Sequence, residues 1–211
     1  ERELGVALVD IGGGTTDLAI FERGSLWHTG VVAMGGDHFT NDIAVGLRTP
    51  IPDAEKTKRR SGCALASLVD EDETIEVASV GGREPRVMSR RILSEVLQPR
   101  AEEIFHALWD EIRRAGYERA LHSGLVLCGG GALLEGMAEI AEQIFDLPIR
   151  RGCPVDVGGL SDHVSSPSFA TGVGLVKYAH RNQRREQRRL GGVGTLSSLA
   201  GRFSGLFKDF F

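Results

Sequence analysis

The sequence predicts an α/β fold, and three stretches carry that expectation. Val6–Phe21 reads VALVDIGGGTTDLAIF, two apolar β-like runs joined by a glycine turn. Ser123–Leu147 places another apolar run, Leu125–Cys128, before a second Gly-Gly-Gly and an amphipathic helix. From Ser89 onward, Ile92, Leu93, Val96, Ala101, Ile104, Phe105, Leu108 and Ile112 recur at helical spacing. The 211 residues, 41% hydrophobic and 26% charged, suffice for one large domain or two small ones of ordinary globular composition.

Taken in order, Leu4–Asp10, Leu18–Glu22 and Leu26–Ala33 read as a three-stranded meander, with Arg23-Gly24 as the second turn. The first turn is read as a phosphate cradle. Gly12, Gly13 and Gly14 admit close approach and positive φ, and successive backbone N–H groups form an anion-binding nest. Asp10 and Asp17 flank it, as a hydrated Mg²⁺ requires, since that ion takes few direct protein ligands. The alternative is a plain glycine hairpin with surface acids; the whole string Asp-x-Gly-Gly-Gly-Thr-Thr-Asp between two strands favours the nucleotide. Gly35-Gly36-Asp37 is either a strand-to-helix turn or a flap over that nucleotide. Asp37 has the chemistry of an N-cap, for a helix over His38–Leu47 with Phe39, Ile43 and Leu47 on its buried stripe.

Thr49-Pro50-Ile51-Pro52-Asp53 breaks the chain. A charged helix follows over residues 54–62. Its Glu55 and Lys58 share one face, either as a solvated surface or as groups reaching a ribose or adenine. Ala64–Val80 contains two strand-like runs, of which Thr74–Val80 alternates best, and residues 81–85 form a turn. The long helix from Ser89 is kinked or restarted at Pro99 and stops at Gly116. Arg83, Arg86, Arg90, Arg91 and Arg100 make its exposed side basic, as solvated charges or as a seat for an acidic peptide. After Leu125–Cys128, the turn Gly129, Gly130, Gly131 opens a helix over Ala132–Phe145, the place where open α/β sheets hold nucleotides. No further glycine or lysine follows in Rossmann or Walker position. Ile149–Pro154 is a short strand, residues 155–167 a loop, and Ser168–His180 a last helix.

Net charge is −4, but over residues 177–189 Lys177, Arg181, Arg184, Arg185, Arg188 and Arg189 stand against Glu186 alone, and residues 181–195 read as a basic linker. Such an arm calls for an acidic partner, a membrane surface or nucleic acid. Four of the nine phenylalanines fall in the last nine residues. Leu196, Leu199, Phe203, Leu206, Phe207, Phe210 and Phe211 line one helical face over residues 196–211. That pattern fits an interfacial membrane helix better than a docked terminal helix. No run approaches the ~20 apolar residues of a membrane span. Cys63, Cys128 and Cys153 are odd in number and form no C-x-x-C pair, which points to buried free thiols in a reducing compartment. The chain opens on Glu1 with a core strand almost at once, so it is expected to be a piece cut at a domain boundary.

Together VDIGGGTTD, GGDHFTNDIA, AEKTKRR and LVLCGGGALLEG resemble the second half of the actin-like ATPase superfamily. Within it, RTPIPDAEKTKRRSGCA, EVASVGGREPR, EVLQPRAEEI and the amphipathic C-terminus are similar to the FtsA family of division proteins. The resemblance implies an actin-like, ribonuclease-H-like lobe with a mixed sheet flanked by helices and an inserted smaller α+β subdomain. Subdomain 2A would be residues 1–50 and 124–180, and subdomain 2B residues 51–123. ATP would lie with Gly12, Gly13, Gly14, Thr15 and Thr16 on its β- and γ-phosphates and Asp10 and Asp17 on the waters of Mg²⁺. Glu55, Lys58, Gly129, Gly130 and Gly131 would take ribose and base. The acidic FtsZ tail would bind 2B, with Arg83, Arg86, Arg90 and Arg100 as candidates, and the chain would self-associate into filaments. Leu199, Phe203, Leu206, Phe207, Phe210 and Phe211 would hold the cytoplasmic face of the inner membrane at the division site, with no nucleic-acid partner. Other readings are an FtsA-like pilus-assembly ATPase, or a sugar or acetate kinase of the same superfamily. No second Asp-x-Gly hairpin is present, so the cleft is expected to be half-built, to bind nucleotide weakly and to hydrolyse it little if at all.

Overall fold

The computed structural model describes residues 1–159 and 161–183. Alternation in Val6–Ile11 (β1) puts Ala7, Val9 and Ile11 on one face, all fully buried. Thr16–Glu22 (β2) runs antiparallel to it, with Leu18 and Ile20 on the same inner face. Ser25–Val32 (β3) pairs antiparallel with β2 across Arg23-Gly24. Both turn residues have positive φ, 50° and 75°, the conformation that matches the twist of a two-residue hairpin. Leu125–Cys128 (β6) lies parallel to β1, and Ile149–Arg151 (β7) parallel to β6, giving a mixed sheet of order β3-β2-β1-β6-β7. All of β6 is buried, as befits a parallel strand flanked on both sides.

Gly36–Gly46 (α1) is capped by Gly35 rather than Asp37, which lies in the first turn. The Gly35 N–H donates to His38 Nδ1, and the His38 N–H donates back to the Gly35 carbonyl, so the histidine does the work assigned to the aspartate. Ile51–Ser61 (α2) starts three residues before the expected position. Pro52 sits in its first turn, where a missing N–H costs nothing. The first apolar run after α2 is not a strand. Ala66–Leu68 is a 3-10 turn, pinned where the Ala66 N–H donates to Gln98 Oε1 at 3.0 Å. Thr74–Val77 (β4) and Arg86–Ser89 (β5) form a hairpin whose second strand was not anticipated. Arg90–Arg114 (α3) is one helix that passes through Pro99, with Ser89 Oγ as its cap, accepting from the Arg91 N–H. Gly136, at φ 81°, delays the next helix (α4) to Met137–Phe145, after a 3-10 turn at Gly131–Leu133. The expected loop before residue 168 contains one helical turn (α5), Ser161–Val164.

Phe39 and Ile43 of α1, Ile104, Phe105, Leu108 and Ile112 of α3, and Met137, Ile140 and Phe145 of α4 belong to one buried core with the inner sheet face. Each such large side chain stabilises by about 1.5–3 kcal/mol when buried. The core runs without a gap into Ile75 and Val77 of β4. Residues 1–170 form one compact unit; residues 171–183 are helical and belong to a second. The described residues include no helix long and apolar enough to cross a membrane.

Candidate functional site

The hairpin tip is built from backbone. Register sets Asp10 opposite Asp17 and Ile11 opposite Thr16, leaving Gly12–Thr15 as the loop, which closes where the Gly12 N–H donates to the Thr15 carbonyl at 2.9 Å. The first turn of α1 docks on it. The Gly36 N–H donates to the Gly12 carbonyl and the Asp37 N–H to the Gly13 carbonyl, each at 2.8 Å. In a trans peptide the N–H points opposite its C=O, and among the described residues no peptide bond is cis. The N–H groups of Gly13 and Gly14 are therefore turned away from α1, side by side. This gives two adjacent donors for an anion without the alternating backbone of a nest. The positive φ expected of Gly12–Gly14 is not found; in the second glycine turn Gly129 has it, at 84°. Gly35 permits the close approach, since a Cβ there would lie 2.6 Å from the Gly13 carbonyl oxygen.

Thr15 Oγ1 donates to Asp17 Oδ2 at 3.3 Å and holds that carboxylate at the tip. Thr16 departs from the expectation. It is fully buried and its hydroxyl donates to the Met34 carbonyl at 2.8 Å, so it braces the loop from behind and has no face to offer a phosphate.

The opposite wall is α2. Glu55 and Lys58 share one face of the helix, where they form an ion pair, and both face the same cavity as Gly12 and Gly13. Lys58 Nζ also donates to the Gly36 carbonyl at 2.8 Å and to Thr40 Oγ1 at 2.7 Å. Burial pushes the Glu55 carboxyl up, but hydrogen bonds from Lys58 and Thr40 outweigh it and hold the group below its ordinary value. The third wall is the second glycine turn. Gly130 and Gly131 line the cavity. The Gly129 N–H is spent on the Pro167 carbonyl at 3.0 Å, so that residue makes the turn and offers no donor. The cavity encloses about 600 Å³. Gly36, Asp37, Arg59, Arg60, Leu133 and Leu134 also line it. Of these the sequence points only to Gly36 and Asp37, as able to close over a nucleotide; it does not single out Thr40, behind the wall.

Asp10 and Asp17 face each other across β1 and β2, where two like charges repel unless a cation lies between them. Among the described residues no group of three acids, histidines or cysteines could enclose a metal. Two carboxylates suit an ion that keeps its waters. Cys128, opposite Asp10 in the sheet, has its thiol pushed up to about 12, by burial first and then by the Asp10 charge.

The arginines are not brought together as a free cluster. Arg90 pairs with Glu73 at 2.8 Å and with Glu135, donates to the Ser61 carbonyl at 2.9 Å, and lies at the cleft rim. Arg100 holds Asp42 of α1 at 2.7 Å and also pairs with Glu103. Arg86 is exposed and donates to the Leu47 carbonyl at the end of α1; Arg83 is exposed in the hairpin turn. Arg90 and Arg100 are thus braces between elements, because a guanidinium offers five donors in a fixed fork. Leu199, Phe203, Leu206, Phe207, Phe210 and Phe211 lie outside the described residues.

The model of the family described as cell division protein FtsA matches residues 7–174. The cell division protein FtsA of Pseudomonas aeruginosa is 52% identical over 183 residues, covering 87% of this chain and 44% of that one. Its counterpart in Escherichia coli K12 is 44% identical over 196 residues, covering 88% and 47%. The chain spans about half the length of these curated relatives. Among solved structures, MreB5 of Spiroplasma citri bound to ADP superposes with a TM-score of 0.65 at 22% identity, over 88% of this chain and 56% of that one. The fold is accordingly actin-like.

Proposed function

The chain belongs to the FtsA family of cell division proteins, and on that premise we propose that it acts as a nucleotide-controlled division scaffold. In this reading the cleft holds ATP. The N–H groups of Gly13 and Gly14, between Gly12 and Thr15, take the phosphates. Glu55, Lys58, Gly130 and Gly131 border ribose and base, and Gly129 shapes the turn. Asp10 and Asp17 would hold Mg²⁺ through its waters, and the ion would supply positive charge against the phosphates. Nucleotide occupancy governs self-association into filaments rather than turnover, and no residue is assigned a catalytic role. The acidic tail of FtsZ is placed on the β4–β5 hairpin, where Arg83 and Arg86 are exposed. The phenylalanine-faced C-terminus attaches the chain to the cytoplasmic face of the membrane at the division site.

One observation supports the reading above the others. Three segments far apart in sequence, the hairpin tip, α2 and the turn after β6, face a single cavity. Titrating ¹⁵N-labelled chain with Mg-ATP tests it. Amide shifts at Gly13, Gly14, Gly130 and Gly131 are expected, and a spectrum that does not move sinks the nucleotide assignment. The partner assignment is tested with a fluorescent FtsZ tail peptide, whose binding Arg86→Glu should weaken.

A further inference from the structure

We propose that Thr40 is a positioning residue for the ribose side of the cleft. Its hydroxyl locks Glu55 and Lys58 so that Glu55, not Lys58, is the group presented to a vicinal diol. The proposal rests on the reading of the cleft as a ribonucleotide site. Thr40 lies on α1, 5% exposed. Its Oγ1 is 2.5 Å from Glu55 Oε2 and 3.2 Å from the Gly36 carbonyl. A hydroxyl has one proton, and the shorter contact to the charged acceptor takes it. Back-bonding to the carbonyl four residues earlier, the usual role of a mid-helix threonine, is the weaker contact here. The same oxygen accepts from Lys58 Nζ at 2.7 Å.

The lysine is then fully used. An ammonium has three donors, and Lys58 directs them to the Gly36 carbonyl, Thr40 Oγ1 and Glu55 Oε2. A ligand could draw on Lys58 only by breaking one of these. Both bonds to Glu55 use Oε2, which leaves Oε1 as the acceptor the pair can offer, and a carboxylate oxygen with two lone pairs suits adjacent hydroxyls. Threonine is also stiff at χ1, so the hydroxyl is held in place rather than searching for it.

Two variants test this in the full chain. Thr40→Val keeps the shape and removes the hydroxyl; Thr40→Ser keeps the hydroxyl. The Glu55 carboxyl is titrated by ¹³C NMR in the free protein. Its midpoint should rise in Thr40→Val, because a donor to the charged form is gone, and stay at the wild-type position in Thr40→Ser. Mg-ATP and Mg-2′-deoxy-ATP are then titrated. Thr40→Val should lose about tenfold in ATP affinity, equivalent to ~1.4 kcal/mol, with a smaller loss for the deoxy analogue, and Thr40→Ser should retain the wild-type preference. An unchanged Glu55 midpoint in Thr40→Val overturns the positioning role. A shifted midpoint with the ATP preference intact overturns the ribose assignment. A wild-type chain that responds to neither nucleotide overturns the nucleotide reading instead, and the carboxyl titration still decides the role of Thr40.

Discussion

Gly-Gly-Gly occurs after β1 at Gly12–Gly14 and after β6 at Gly129–Gly131, and the two strings are glycine for different reasons. In the first, a Cβ on Gly14 would meet nothing within 4 Å, and one on Gly13 would meet Asp37 Oδ2 at 3.4 Å, an ordinary contact. In the second, a Cβ on Gly129 would lie 2.3 Å from Asp10 Oδ1 and 2.4 Å from the Ile11 carbonyl oxygen, at a φ of 84°. A Cβ on Gly131 would lie 2.3 Å from Ile11 Cγ2, whereas Gly130 between them meets nothing. The first turn has room on its outer side for something to approach. The second is glycine mainly because β1 is already pressed against it.

That contrast ranks the alanine variants. Gly129→Ala should be the most damaging, since it combines the left-handed penalty of roughly 1–2 kcal/mol with overlap on backbone that cannot move aside. A loss of more than about 3 kcal/mol in urea unfolding is expected. Gly131→Ala meets a side chain instead, but a β-branched one with restricted rotamers, and about 1–3 kcal/mol is expected. Equal and small losses at both positions would remove the difference between the turns.

The anchors of the two turns differ as well. The first is braced from behind by the buried Thr16 hydroxyl on the Met34 carbonyl. Thr16→Val should cost about 1–2 kcal/mol, because it strands a buried acceptor. The loop after the second turn is tied by Glu135 to Arg90, and that glutamate side chain is 52% exposed. Glu135→Gln should cost no more than about 1 kcal/mol, and its effect should fade in high salt while that of Thr16→Val does not.

The sequence made the two turns legible as a pair but not as different. Periodicity and the glycine strings located β1, β2, β3, β6 and the helices α1, α3 and α4, because each carries an apolar face. What it could not convey was tertiary. Thr16 looks like a phosphate ligand because it sits in the motif, and only the packing of β3 against β2 puts a carbonyl behind it. Arg90 and Arg100 look like a basic surface because the acids that tie them to other elements, Glu73, Glu135 and Asp42, lie 17 to 58 residues away. The strand β5 was hidden by arginine and proline, which break the alternation that a two-stranded hairpin on the rim does not need. Thr40 left no sign because a polar residue on a helix stripe reads as surface until a second helix is laid across it.

Acid and base should strain the two sides differently, and neither effect shows near neutrality. Glu55, on the wall opposite the first turn, has a folded value below its unfolded one of about 4.3. Its contribution is therefore complete above that pH and is lost as pH falls through the folded value. Cys128, leading into the second turn, is raised from 9.0 to about 12. Its contribution is complete below the lower value and is lost as pH climbs through the upper one. Unfolding curves should show that Cys128→Ala flattens the decline on the alkaline side and leaves the acid limb unchanged, while Glu55→Gln alters the acid limb alone.

The smallest change in stability should come with a loss of ligand. Gly130 already holds φ −65° and ψ −34°, ordinary right-handed helical values, and nothing stands where its Cβ would go. Alanine there removes freedom from the unfolded chain and should be neutral or stabilising by up to about 0.5–1 kcal/mol. The methyl would, however, stand on the cleft wall between two residues held tight by β1, so the space it fills is the space an adenosine would use. Gly130→Ala should thus unfold slightly later than wild type and respond more weakly to Mg-ATP in the amide titration. Such opposite movement of stability and binding is what separates a glycine kept for a visitor from one kept for a neighbour. If Gly130→Ala unfolds early, or binds as wild type does, then the second turn is glycine for packing throughout and the adenosine belongs against another wall.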